Sequence, residues 1–167
     1  MDPELLAAAA RVLDANRAAG RTVAAAESCT GGLVMAALTE IAGASDVVDR
    51  GFVTYSNEAK MEAIGVNQDI LETFGAVSIA VAWAMAQGTL KNSRADVVVA
   101  VTGIAGPDGG TEKKPVGTVV FARAVRGGDP EELVADIRHF GDLGRSEIRR
   151  QAALVALELL MPVPASG

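Results

Sequence analysis

Ser28 and Cys29 stand where an apolar strand pattern gives way to a helical one, in the segment Ala26-Glu27-Ser28-Cys29-Thr30-Gly31-Gly32. Before it, Thr22 to Ala26 reads as a short buried strand. After it, Leu33, Val34, Ala37, Leu38 and Ile41 recur at helical spacing. A hydroxyl at such a junction is placed to attack a carbonyl, and the N–H groups of a helix start lack intrahelical partners and favour an anion. The same residues also make an ordinary Ser/Thr cap followed by turn glycines. Cys29 is the rival nucleophile, because a helix amino terminus lowers a thiol's pKa. Side chains of adjacent residues diverge, so only one of the two is expected to face a cleft. Glu27 either caps backbone donors or orients Lys60; the plainer alternative is a charged residue leaving a strand.

A serine nucleophile needs a base. His139 is the only histidine. Strand alternation puts it on a face with Ile137, where a half-buried structural role is expected. Lysine is the usual substitute in convergent nucleophile-base pairs. Tyr55 ends the β-rich run that begins at Val47, and Lys60 falls on the first turn of the following helix. Both can therefore project toward one strand-end cleft. An ordinary lysine, with a pKa of about 10.4, is nearly all ammonium at neutral pH; lowering it by about three units requires roughly 4 kcal/mol. Burial in an apolar pocket supplies a penalty of that kind. The Tyr55 hydroxyl would relay a proton between Ser28 and Lys60, or orient the ammonium. The plainer alternative is a solvated helix lysine beside an ordinary strand-end aromatic.

Two further loops carry chemistry-bearing residues. Thr102-Gly103-Ile104-Ala105-Gly106-Pro107-Asp108-Gly109-Gly110 follows a Val/Ala run. It lacks a strict dinucleotide fingerprint, yet its glycines permit close backbone approach to a flat ring or phosphate. It serves equally as a simple connection. Arg145 precedes the last helix and presents a fork suited to phosphate, or pairs with Asp142 on the surface.

The elements that must position these residues alternate early and pair late. Leu5, Ala8, Val12, Ala15 and Ala19 mark an amphipathic helix over residues 3 to 19. Ser56-Asn57 caps a short helix from Glu58 to Ile64, a small helix lies between Asn67 and Phe74, and Ser78 opens a longer one reaching about Asn92. Asp96 to Val101 reads as a strand buried on both faces, and Thr118 to Val125 as another. A turn at Arg126-Gly127-Gly128-Asp129-Pro130 joins it to an alternating edge strand carrying Leu133, Ala135 and Ile137. A last helix runs from Ser146 to about Leu160 and stops before Pro162 and Pro164. Trp83 is expected in a core or a subunit contact. This order predicts an α/β chain: a three-layer α/β/α arrangement with a mixed, mostly parallel sheet. Sites in such sheets gather at strand ends.

Composition bounds the rest. With 167 residues, a single domain with a substantial core is expected over 1–167. Half of the residues are hydrophobic and only 4% aromatic, so Ala, Val, Leu and Ile must fill that core. A formal net charge of -6 gives no electrostatic footprint for nucleic acid. No apolar run approaches the roughly 20 residues needed to span a bilayer, and the start lacks a signal-peptide pattern. No membrane partner and a cytoplasmic location are therefore expected. One cysteine and one histidine provide neither an internal disulfide nor a structural zinc cluster.

Taken in order, several separated motifs resemble the carboxy-terminal domain of the competence/damage-inducible protein CinA. They are Ala26 to Gly32; Gly51-Phe52-Val53-Thr54-Tyr55-Ser56-Asn57 with Lys60; Gly75-Ala76-Val77-Ser78; Thr102 to Pro107 with Gly109-Gly110; Lys114-Pro115-Val116-Gly117-Thr118; and Arg145 with Ile148-Arg149. The resemblance covers about residues 5 to 160. That family includes stand-alone nicotinamide-nucleotide amidases, which convert nicotinamide mononucleotide to nicotinate mononucleotide and ammonia. By this resemblance Ser28 is the nucleophile, and Tyr55 and Lys60 complete a Ser-Tyr-Lys set. Oxyanion and substrate binding then fall to Thr30, Gly31, Asn57, Thr102, Gly103, Ile104, Ala105, Gly106 and Arg145. The ring would lie against Thr102 to Gly106 and the phosphate near Arg145 or helix-start amides. No metal or cofactor is required, and a homo-oligomer is expected. No counterpart of the family's frequent amino-terminal domain, and no activity belonging to it, is expected. Where the family often carries an acidic residue after Gly-Ala-Val-Ser, this chain has Ile79. The competing class is a catalytically silent nucleotide-binding module, or an accessory factor in competence or DNA damage.

Overall fold

Residues 1–128 and 134–162 are described by the computed structural model. The chain runs as α1 (Pro3–Ala18), β1 (Val23–Glu27), α2 (Leu33–Glu40), a 3-10 turn (Ala44–Asp46), β2 (Val48–Val53) and α3 (Asn57–Ile64). It continues as α4 (Gln68–Phe74), α5 (Ile79–Lys91), β3 (Val97–Gly103), β4 (Thr118–Val125), β5 (Val134–His139) and α6 (Arg145–Leu159). The expectations placed on Asp129, Pro130, Leu133 and Pro164 lie outside the described residues.

The five strands form one sheet in the order β2-β1-β3-β4-β5. β1 pairs in parallel with β2 and β3, whereas β4 runs antiparallel to both β3 and β5. Four strands therefore point one way and β4 the other, which is the mixed, mostly parallel sheet expected from the order of elements. β1 and β3 are central, and each is buried on both faces. Val23 and Ala25 join Val97, Val99 and Val101 under α1, α2 and α6, while Ala24 and Ala26 join Val98 and Ala100 under α3, α4 and α5. That alternation is the period-2 geometry of a strand, here apolar on both sides because helices cover both faces. Burying one such valine contributes about 1.5–3 kcal/mol, so the two central strands anchor the fold. The run of alanines in β1 fills the remaining space with little bulk.

Cover thins toward the edges. Ile137 on the edge strand β5 is 40% exposed, so its alternation does not produce the half-buried face expected for it. Trp83 on α5 is 44% exposed and is not a core residue. Among the described residues no helix is long and apolar enough to cross a membrane.

The parallel arrangement of β1, β2 and β3 brings their carboxyl ends to one rim. β1 has β2 on one side and β3 on the other, so its two neighbours are reached by connections on opposite faces. A crevice opens where such connections diverge.

Candidate active site

That crevice is a cavity of about 250 Å³, walled by Ser28, Cys29, Tyr55, Asn57, Lys60, Ala76, Val77, Thr102 to Gly106, Asp108, Gly109 and Arg145. Ser28 follows directly on β1, and its N–H donates to the Val101 carbonyl at 2.9 Å, so it is pinned as an extension of the sheet. Lys60 lies one turn into α3. Ser56 caps that helix, its side chain accepting from the Ala59 N–H at 3.0 Å.

Lys60 Nζ lies 3.0 Å from Ser28 Oγ, 3.0 Å from the Thr54 carbonyl and 3.1 Å from the Tyr55 carbonyl. The lysine is only 1% exposed. Burial pushes its pKa below the ordinary value, because the charged form loses hydration. A neutral amine has two N–H groups and one lone pair. Ser28 Oγ also donates to the Tyr55 carbonyl at 3.3 Å, and in a neutral amine, with the two carbonyls taking its N–H groups, the remaining lone pair points to Ser28 Oγ. In the ammonium form all three contacts become donated hydrogen bonds, so one geometry serves both protonation states.

Tyr55 enters this arrangement by its backbone. Its side chain is 58% exposed, and its hydroxyl accepts from Arg145 Nη2 at 2.9 Å. The expected phenol relay between Ser28 and Lys60 is thus replaced by direct contact of amine and alcohol. The phenol is turned outward because the Tyr55 carbonyl is turned in. Arg145 Nη1 also donates to the Gly106 carbonyl, so its fork spans the cavity mouth and makes no pair with Asp142.

The helix-start donors are also spent differently from the sequence expectation. α2 begins at Leu33, after Gly32 in a left-handed conformation with φ 102°. The wholly buried Glu27 accepts from the Val34 N–H at 2.9 Å and the Met35 N–H at 3.1 Å. The Gly31 N–H closes a turn onto the Ser28 carbonyl at 3.0 Å. Thr30 and Gly31 are absent from the cavity wall, whereas Asn57, Thr102, Gly103, Ile104, Ala105, Gly106 and Arg145 are on it. The backbone N–H groups of Ala105 and Gly106 have no partner among the described residues.

Both Ser28 and Cys29 reach the wall, contrary to the expectation of one alone. Cys29 is nevertheless 5% exposed, and burial pushes its thiol up to about 12. At neutral pH it is a thiol, a poor nucleophile. His139 lies on the edge strand with Nδ1 3.3 Å from Thr118 Oγ1, away from the cavity. Ile79 is 45% exposed and does not line the cavity, so the departure from the family's acidic residue leaves this wall unchanged.

Two residues escaped the reading of individual positions. Asp108 lines the cavity, and Arg149 donates to the Cys29 carbonyl at 3.1 Å and the Thr30 carbonyl at 3.0 Å. The available signal was the four-residue spacing of Arg145 and Arg149, which puts both on one face of α6.

The family model for the CinA C-terminal domain matches residues 6–163. The chain is 51% identical over 159 residues to the nicotinamide-nucleotide amidohydrolase PncC of Escherichia coli K12, covering 95% of this chain and 94% of that protein. It is 48% identical to a CinA-like protein of Syntrophobacter fumaroxidans, over 88% of this chain but 34% of that longer protein. Among solved structures, the competence/damage-inducible protein CihA of Agrobacterium tumefaciens superposes with a TM-score of 0.91 at 49% identity, covering 96% and 95% of the two chains. With the strand order, the rim cavity and these matches in agreement, the chain belongs to the CinA C-terminal domain family.

Proposed function

We propose that this chain hydrolyses the carboxamide of nicotinamide mononucleotide to nicotinate mononucleotide and ammonia, with Ser28 as nucleophile and Lys60 as base. The observation that carries this reading is the 3.0 Å contact between Ser28 Oγ and a buried Lys60 Nζ whose other neighbours are two carbonyls. The 51% identity to a nicotinamide-nucleotide amidohydrolase over nearly the whole chain supports the substrate.

Neutral Lys60 takes the Ser28 proton as Oγ bonds to the carboxamide carbon. The negative charge moves to the carbonyl oxygen, which the N–H groups of Ala105 and Gly106 accommodate. Thr30 and Gly31, which lie off the cavity wall, act through the turn after Ser28, which the Gly31 N–H closes onto the Ser28 carbonyl. The Lys60 ammonium returns its proton to the amide nitrogen, the C–N bond breaks and ammonia departs. Water then adds to the acyl-enzyme, its proton passing to Lys60 and on to Ser28 as the ester bond breaks. At about 250 Å³ the cavity lies just below the usual range of about 300–1,000 Å³. It takes the pyridine ring against Thr102 to Gly106, and the phosphate stays at the mouth. There Arg145 exchanges the Tyr55 hydroxyl for a phosphate oxygen, and Asn57 lines the entry. Tyr55 serves Lys60 through its carbonyl and Arg145 through its phenol.

The test is ammonia release from nicotinamide mononucleotide, with nicotinamide riboside and nicotinamide as comparisons. Ser28→Ala is expected to abolish release, and Cys29→Ala to stay within a few-fold of the parent. Full activity in Ser28→Ala removes the proposed nucleophile. Saturable binding without ammonia from the unaltered chain replaces the enzyme by a silent binding module.

A further inference from the structure

Arg149 is a half-buried guanidinium on α6 with no carboxylate partner among the described residues. Its neighbour Arg150 has the ordinary surface role, bridging to Glu147 with Asp2 and Glu4 nearby. Arg149 instead gives two hydrogen bonds to consecutive main-chain carbonyls, those of Cys29 and Thr30, across 120 and 119 positions of sequence. It does not line the cavity; its guanidinium is spent on the main chain after Ser28.

We propose that Arg149 is a positioning residue that locks the turn following Ser28 and so holds Ser28 Oγ against Lys60 Nζ. This rests on the reading of Ser28 as nucleophile. Three contacts fix Ser28 from the strand side: its own N–H on Val101, the Glu27 carbonyl under the Thr54 N–H, and the Lys60 contact. On the helix side the glycines at 31 and 32, both at positive φ, leave the chain free to move unless something restrains it. Two main-chain hydrogen bonds, Gly31 N–H to the Ser28 carbonyl and Leu33 N–H to the Thr30 carbonyl, hold the turn locally, and the guanidinium ties it to α6. A trans peptide sets its N–H opposite its carbonyl, so fixing the Cys29 and Thr30 carbonyls also fixes the planes of the next two peptides. It turns the Thr30 N–H away from α6 and leaves the Gly31 N–H on the Ser28 carbonyl. A planar fork holds two acceptors at once, which an ammonium does less well. Gly31 answers to the same contact, because a Cβ there would lie 3.4 Å from Arg149 Nη2.

The experiment compares Arg149→Gln, Arg149→Lys and Arg149→Ala with Arg150→Gln, all checked for native circular dichroism. Arg149→Gln is expected to lower kcat by about 10²-fold, the scale of a small misplacement at a reacting atom, with KM within about two-fold. Arg149→Lys should fall between, added guanidinium should restore Arg149→Ala, and Arg150→Gln should match the parent. Labelling of Ser28 by a fluorophosphonate gives a second readout that needs no carboxamide: Oγ bonds to phosphorus, fluoride leaves and Lys60 takes the proton. Slower labelling in folded Arg149→Gln supports the role even if the unaltered chain releases no ammonia from nicotinamide mononucleotide, in which case only the substrate reading fails. Parent-like labelling and kcat in Arg149→Gln overturn it, as does a loss confined to KM.

Discussion

A lysine amine with two main-chain carbonyls on its N–H groups has one direction left for its lone pair, and in this protein that direction is Ser28 Oγ. Two consequences follow for pH. Because burial depresses the Lys60 pKa, the neutral amine proposed as the base is present at lower pH than for an ordinary lysine, and kcat/KM should climb with pH through the depressed value and then level off. Lys60→Arg should be inactive across the whole range, since a guanidinium does not deprotonate. A parent profile that falls over the same interval would remove Lys60 as base. Stability has its own sign. Between the depressed folded pKa and the ordinary unfolded value the unfolded chain binds the extra proton, so the fold gains stability as pH rises through that window. Lys60→Met should lose this gain, seen as a flatter Tm between neutral and alkaline pH. The sequence indicates Ser28 and Lys60 because one closes a strand pattern and the other opens a helix. It gives no direction for the Tyr55 phenol, since whether a strand-end residue offers its carbonyl or its side chain inward depends on backbone rotation after Val53.

At the scale of elements, the junction from β1 to α2 decides what the helix start can do. A free amino terminus would offer its N–H groups to an oxyanion. The buried Glu27 takes two of them instead, those of Val34 and Met35, so α2 acts as a fixed post and not as a donor. Charged acceptors make hydrogen bonds worth about 1.5–3 kcal/mol each, and an orphaned buried donor carries a further cost. Glu27→Ala should therefore destabilise the fold by about 3 kcal/mol or more, measured by urea unfolding. Glu27→Gln keeps one acceptor and should lose less. An unchanged midpoint in Glu27→Ala would show that α2 is held by packing alone. Capping was one of two roles that the sequence allowed Glu27. The choice between them needs the length of the turn, because α2 starts two residues after Gly31. Arg149 was harder to read: its partners are backbone atoms about 120 positions away, and backbone carbonyls leave no mark in a side-chain pattern.

Across the whole molecule the site depends on how two layers meet. Ser28 rides on the central strand, and Lys60 arrives on α3, which packs against α5 on one face of the sheet. The separation of Lys60 and Ser28, the proposed base and nucleophile, is thus a property of helix packing. Alternating strands and helices announce the three layers, because a chain apolar at every second residue of β1 and β3 must be covered on both sides. They do not announce how closely α3 approaches α5. Gly88 sets that distance: a Cβ there would fall on the Ile64 carbonyl, at the end of the helix that carries Lys60 one turn earlier. Replacing glycine by alanine inside a helix ordinarily stabilises by roughly 0.5–1 kcal/mol. Forcing a methyl into filled space costs about 1–3 kcal/mol, and here it meets backbone, which yields less readily than a side-chain tip. The clash should win. Gly88→Ala should lower Tm by several degrees, at about 2–4 °C per kcal/mol for a chain of this size. It should also reduce kcat at temperatures where the variant is fully folded, because relief of the clash moves α3 and with it Lys60. Gly20, whose missing side chain faces open space, supplies the control: alanine there strains a positive φ but leaves the distance from Lys60 to Ser28 alone, so its Tm should fall while kcat holds. A Gly88→Ala protein with lowered Tm and unchanged kcat would mean that Lys60 is seated by its own strand-end carbonyls and not by the packing of α3 on α5.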